Sequence, residues 1–251
     1  MNQPLSYQFC IAVLGLSWIV VYALIIRLGF RDRTYGMPCV AVCGNLAWEF
    51  QFAFVRPYEP FQQAADIVWF TMNLVIVATV VRFGPRQFPG LPAAGFYALF
   101  GTGMALAFSG VHLLARELGD MASVYLGFGD TVLMSALFLS MAIGRRTLAG
   151  QSLVIAYVKW IGTAVGSVAY WFFDAEHSHV PLIGYGGIAI FVLDAAYVVV
   201  LHWLRAQDRA VTTPPVLPRP ASSRDAAEPA DHRARTARTA RTDLADLTEG
   251  P

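Results

Sequence analysis

Charge is scarce in this chain, and lysine is almost missing. Only 14% of the 251 residues are charged, against 56% hydrophobic. A soluble domain carries roughly 25% charged residues. One lysine, Lys159, stands against 17 arginines. That bias points to a GC-rich genome, such as that of an actinobacterium. The formal net charge of +1 gives no ground for a nucleic-acid partner. Cysteine is equally sparse. Cys10, Cys39 and Cys43 all fall in apolar segments, without CxxC or any metal-ligand spacing. Cys39 and Cys43 lie four apart and read as small packing residues on one helix face. The N-terminus lacks the basic stretch and small-residue cleavage site of a signal peptide.

What the chain has in quantity is long apolar runs. A bilayer core needs about 20 apolar residues in helical form. Seven stretches meet that test: 8–28, 36–55, 63–83, 95–115, 121–144, 151–172 and 182–204. The joints carry breakers and charge, among them Arg31-Asp32-Arg33, Arg56-Pro57, Gly84-Pro85-Arg86 and Arg145-Arg146. The expected fold is all-α: a seven-helix transmembrane bundle over residues 1–206, with a disordered tail over 207–251. Short loops predict that successive helices are antiparallel neighbours. In the tail, Pro214, Pro215, Pro218 and Pro220 precede Ala/Arg/Thr repeats with little apolar bulk, a composition that cannot fund a core.

Arginine placement predicts orientation. Arg27, Arg31, Arg33, Arg82, Arg86, Arg145, Arg146, Arg205 and Arg209 follow the odd-numbered runs, while the other side offers only Arg56 and Arg116. The excess of positive charge on cytoplasmic loops then puts the N-terminus outside and the C-terminus in the cytoplasm, in a multi-pass protein of the cell membrane.

Ionisable groups at membrane depth cost several kcal/mol unless paired, neutral or hydrated, so each is a functional candidate. Glu49, Asp130, Lys159 and Asp194 lie deep, and Asp66 lies near the outer end of the third run, where an interfacial placement competes. At 1.5 Å per residue, Glu49, Asp130, Asn73, Lys159 and Asp194 fall between about 10 and 18 Å from the outer boundary. One polar layer could hold them all. Asn45 and Glu49 are four apart and face the same way. Asp66, Trp69, Phe70 and Asn73 form a stripe on the third helix. Gly162 and Gly166 form a close-packing pattern for helices in lipid. Lys159 is a candidate ion-pair partner of Asp130 or of Asp194. One lysine cannot neutralise three deep acids, so some carboxyl groups must keep their protons. A neutral buried carboxylic acid is a proton donor awaiting a substrate. Trp48, Phe52, Trp69, Trp160 and Tyr197 lie in the spans as well. Ring faces stabilise a cation by roughly 0.5–2 kcal/mol each, and the same rings serve as packing or as an interface belt.

The segment Gly44-Asn45-Leu46-Ala47-Trp48-Glu49-Phe50 and the segment Phe191-Val192-Leu193-Asp194-Ala195-Ala196-Tyr197 resemble the signature acids of the small integral-membrane terpene cyclases. That family comprises fungal meroterpenoid and indole-diterpene cyclases and bacterial drimentine-type sesquiterpene-indole cyclases. The resemblance covers about residues 8–204, including size and helix count. It implies that Glu49 and Asp194 are catalytic. An ion pair between Lys159 and Asp194 would weaken the acid role of Asp194. The candidate substrate-binding residues are Asn45, Trp48, Phe52, Trp69, Asn73, Asp130, Lys159, Trp160 and Tyr197. The implied reaction is protonation of a terminal alkene or epoxide on a prenylated substrate, a farnesylated indole or other aromatic compound, followed by a carbocation cascade. Such a lipophilic substrate arrives through membrane lipid, and an upstream prenyltransferase would supply it. No cofactor or metal is expected: the spans lack DDxxD, NSE/DTE and DxDD motifs. Two other classes compete, a seven-helix proton-coupled transporter or small-molecule-binding membrane protein, and a retinal sensor. The sensor fits poorly, since microbial rhodopsins carry their lysine in the seventh helix, where this chain has Asp194.

Overall fold

The computed structural model describes residues 3–57, 59–175 and 178–212. Seven helices account for nearly all of them: α1 (Leu5–Arg31), α2 (Cys39–Phe50), α3 (Pro60–Phe83), α4 (Ala93–Glu117), α5 (Ala122–Arg145), α6 (Leu153–Val168) and α7 (Pro181–Thr212). Each coincides with one apolar run of the sequence. Proline marks the starts. Pro4, Pro38 and Pro92 immediately precede α1, α2 and α4, and Pro60 and Pro181 open α3 and α7. A first helical turn has no use for the N–H that proline lacks. At α6 the cap is Ser152, whose Oγ accepts from the Ile155 N–H at 3.1 Å. The helix α7 runs to Thr212, past the expected boundary at residue 206. The rest of the expected tail lies outside the described residues.

Six of the helices are long and apolar enough to cross a membrane. The exception is the second, a shorter apolar helix over Cys39–Val55, about 26 Å long at 1.5 Å per residue. It is short because it is central: Ala41, Val42, Asn45, Leu46, Ala47, Glu49, Gln51 and Phe52 are all buried. Its last turn, Gln51–Val55, widens to a π-helical turn, and α6 ends the same way over Ala169–Phe173. Such turns cluster at functional sites.

The packing order departs from chain order. The pairs α2–α3 and α4–α5 are neighbours as short loops predict, but α1 packs chiefly on α6 and then on α3, and α2 packs on α4 and α5 as well as α3. The cause lies in small residues. A Cβ on Gly162 would meet the Ser17 Cβ at 2.5 Å, and one on Gly166 would meet Leu14 Cδ2 at 2.8 Å. Only glycine lets α1 come this near, and close backbone approach is how helices associate in lipid. Val21, Ile25, Ile76, Val80, Phe138 and Leu201 fill the interior. Leu16, Leu74, Leu99, Leu106 and Val192 point outward, as a lipid-facing surface requires. The helix α4 buries only Phe96 and Ala115.

The arginine-rich end is tied by its loops. The Gly150 N–H donates to Asp32 Oδ2 at 2.9 Å, and Arg145 Nη1 donates to the Tyr35 carbonyl at 2.8 Å. The Arg145 guanidinium lies 4.0 Å over the Tyr35 ring. Gly150 has φ of +73°, and a Cβ there would sit 2.8 Å from Thr34 Cγ2. The Arg31 side chain, donating at 2.6 Å, holds the Asp32 carboxyl below the usual aspartate range.

Candidate active site

Glu49 sits on the inner face of α2, 1% exposed. Three helices satisfy it. One turn earlier on α2, Asn45 Nδ2 donates to Glu49 Oε1 at 3.0 Å. From α1, the Tyr22 hydroxyl donates to the same oxygen at 2.8 Å, and itself accepts from Asn45 Nδ2. From α3, Asn73 Nδ2 donates to Oε2 at 2.9 Å. All three donors are neutral, so the carboxyl is held without a counter-charge. Asn73 Oδ1 has no partner. Swapping that amide would place an acceptor beside Oε2, where a protonated Glu49 could donate. Either protonation state of Glu49 therefore finds partners.

A second cluster joins α5, α6 and α7. Lys159 Nζ forms a buried ion pair with Asp194 Oδ1 and donates to Ser135 Oγ at 2.6 Å. Thr163 Oγ1 donates to Asp194 Oδ2 at 3.0 Å. Of the two carboxyl partners open to Lys159 in sequence, the fold selects Asp194. Trp18 touches both clusters. Its ring lies 5.9 Å from Lys159 Nζ and meets the Tyr22 ring edge-on at 5.7 Å.

Between the clusters lies a cavity of about 120 Å³. Glu49, Asn45, Trp48, Trp69 and Asp130 line it, as do Trp18, Tyr22, Thr163 and Tyr170. The remaining sequence candidates stand off its wall. Asn73 backs Glu49. Lys159 and Asp194 sit behind Thr163. Phe52 packs with Ala115 and Ala122 and lies 5.2 Å from Trp48. Trp160 packs on Phe191 at 5.1 Å. Tyr197 packs on Phe138 and donates its hydroxyl to Gln151 Oε1 at 3.1 Å. Asp66 is buried and accepts from Gln62 at 2.7 Å. Sequence reasoning missed Trp18, Tyr22 and Thr163 as wall residues. The available signal was the four-residue spacing of Trp18 and Tyr22.

A larger apolar groove of about 670 Å³ runs between α2, α4 and α5. Cys43, Gly44, Gly103 and Leu106 border it, and it shares Trp48 and Asp130 with the inner cavity. A proton donor beside ring-lined, water-poor space is what carbocation chemistry needs: rings steady the cation and exclusion of water prevents quenching.

Comparison with known proteins bears on this directly. The family model for Pyr4-like transmembrane terpene cyclases matches residues 2–207. The chain is 30% identical over 178 residues to the Pyr4-family terpene cyclase mfmH of Annulohypoxylon moriforme, covering 67% of this chain and 74% of that protein. It is 28% identical over 205 residues to the terpene cyclase pyr4 of Aspergillus fumigatus, covering 77% and 85%. It is 28% identical over 227 residues to the terpene cyclase andB of Emericella variicolor, covering 82% and 94%. These relatives are fungal and lend no support to the bacterial source that arginine usage suggested. No solved structure matches the chain. The chain belongs to the Pyr4-like transmembrane terpene cyclases and is a membrane-embedded terpene cyclase.

Proposed function

We propose that the protein protonates a terminal alkene or epoxide on a prenylated aromatic compound, such as a farnesylated indole, and guides the cation to a cyclic product. The observation that carries this reading is the Glu49 carboxyl, held by three neutral donors on the wall of a ring-lined cavity within the helices. A proton joins the end of the prenyl chain, the double bonds close in sequence, and a carboxylate removes a proton at the end. Substrate and product are isomers, so the chemistry needs no second reactant. Glu49 faces the cation and is the catalytic carboxyl. Asp194 serves from behind Thr163. It neutralises Lys159, whose bare ammonium would oppose a cation, and it orients the Thr163 hydroxyl. It is a positioning residue.

Pockets for drug-sized ligands occupy about 300–1,000 Å³, so the inner cavity of about 120 Å³ is too small for such a substrate alone. The adjoining groove supplies the room, and its apolar lining suits a chain arriving from lipid. An upstream prenyltransferase would supply that substrate. We assign the protein to the cell membrane with its N-terminus outside.

The test is conversion. Membranes containing the protein should turn a farnesylated indole into a cyclic isomer without added magnesium. Glu49→Gln, inserted at the native level, should lose at least about 100-fold in kcat, the low end for general acid–base groups. Native turnover in Glu49→Gln would refute the assignment.

A further inference from the structure

Resting on the cyclase reading, we propose that Asp130 is the proton donor that starts the cascade, and that Glu49 receives the proton released at its end.

Among the deep carboxyl groups, Asp130 differs in what surrounds it. Glu49 accepts three hydrogen bonds. Asp194 has an ammonium and a hydroxyl. Asp66 has Gln62. The single lysine is committed to Asp194. Among the described residues, no donor, acceptor or cation engages the Asp130 carboxyl, although it stands on the wall of both the cavity and the groove. The space it occupies exists because residue 44 is glycine: a Cβ there would lie 2.6 Å from Asp130 Oδ1. One face of α2 thus presents Gly44, Asn45, Trp48 and Glu49 within two turns, with Asp130 against the first and the hydrogen-bond cradle around the last. Trp48 is fixed between them, its Nε1 donating to the Ser123 carbonyl at 3.2 Å and its ring in contact range of Gly127.

The two settings assign two roles. An ionised Asp130 would be a charge with nothing donating to it, which a low-dielectric site strongly disfavours. It is therefore held as the acid, and its O–H is left for whatever fills the cavity. Glu49, with three neutral donors around its two oxygens, is the carboxyl equipped to carry negative charge beside the cation. In the first step the Asp130 O–H bond breaks and its electron pair stays on the carboxylate. The alkene π pair, or an epoxide oxygen lone pair, forms the new bond to the proton. In the last step a C–H bond beside the final cation breaks. Its pair becomes the product double bond, and the proton goes to the Glu49 carboxylate. Both groups line one cavity, so the proton returns to Asp130 after product leaves.

Asp130→Asn and Asp130→Glu decide the matter when kcat and KM are measured on a farnesylated indole in lipid membranes. Asp130→Asn should keep KM within about threefold and lose about 10²–10⁴ in kcat. Asp130→Glu, which restores the acid, should recover at least a tenth of native kcat. Native kcat in Asp130→Asn, or a raised KM with kcat intact, overturns the proposal. Should Asp130→Asn fail to accumulate, Gly44→Ala decides, because it keeps the acid but crowds its oxygen. A tenfold fall in kcat supports the role, and an unchanged kcat overturns it. A native protein that leaves the substrate untouched overturns the cyclase reading as well, and is distinguishable from a loss confined to the Asp130 variants.

Discussion

Tyr22 links the two polar clusters: its hydroxyl donates to Glu49 while its ring meets Trp18, the neighbour of Lys159. A hydrogen bond to a charged group contributes about 1.5–3 kcal/mol. Tyr22→Phe should therefore lower kcat at least about tenfold, measured in membranes at equal protein level, with KM nearly unchanged. The Lys159–Asp194 pair gives a second expectation. Asp194→Leu alone strands a buried ammonium and should cost about 3–5 kcal/mol of stability, whereas Asp194→Leu with Lys159→Met should recover most of it. Thermal unfolding in detergent checks both, and turnover in the stable double variant shows how much Asp194 contributes beyond neutralising Lys159. At this scale the sequence was half readable. The pairing of Asn45 with Glu49 follows from helical spacing alone. Which acid Lys159 meets does not, because that depends on how α5, α6 and α7 turn against one another. Tyr22 was overlooked because its side chain is uncharged at neutral pH, and membrane depth singles out charged groups first.

The helix α2 is where element and site coincide, since α1, α3 and α5 each bring a group to its Gly44–Glu49 face. Their alignment depends on α1 lying tight against α6. Gly162→Leu should force the two apart, because Ser17 already occupies the space a side chain would need. It should lower the melting temperature and the turnover together. The loop junction at the opposite end is pH-sensitive in a defined sense. The folded pKa of Asp32 is depressed, so its stabilising contribution is complete above the unfolded value of about 3.9. It is lost as the pH falls through the lower folded value. Asp32→Asn should thus lower the melting temperature near neutrality, flatten the acid side of a plot of melting temperature against pH, and converge on the native protein below the folded value. The seven helices were legible from apolar length; their starts, which proline marks for α1, α2, α3, α4 and α7, were not read from it. The partners of α1 were not: short loops argue for chain neighbours, and the Gly162/Gly166 notch marks a contact face without naming its occupant. The two π-helical turns had no signal in composition.

For the molecule as a whole, the arginine asymmetry predicts a cytoplasmic C-terminus. A C-terminal tag should be cleaved by protease in inverted vesicles and spared in right-side-out ones. The reverse pattern would put the groove and cavity on the other leaflet. Membrane class and family were readable from length, charge scarcity and two short segments, because a bilayer constrains every span. The groove between α2, α4 and α5 was not, since it depends on how those helices pack, and α4 buries only Phe96 and Ala115 there. The central claim is that carboxylic acids inside the membrane drive the cyclisation. Purified protein in lipid nanodiscs, in D2O with divalent metals chelated, tests it most directly on a farnesylated indole and its terminal epoxide. From the alkene, the account predicts a cyclic isomer with deuterium on the former alkene CH carbon; from the epoxide, a cyclic alcohol without it. Both substrates recovered unchanged, or an alkene-derived ring lacking that deuterium, would contradict it.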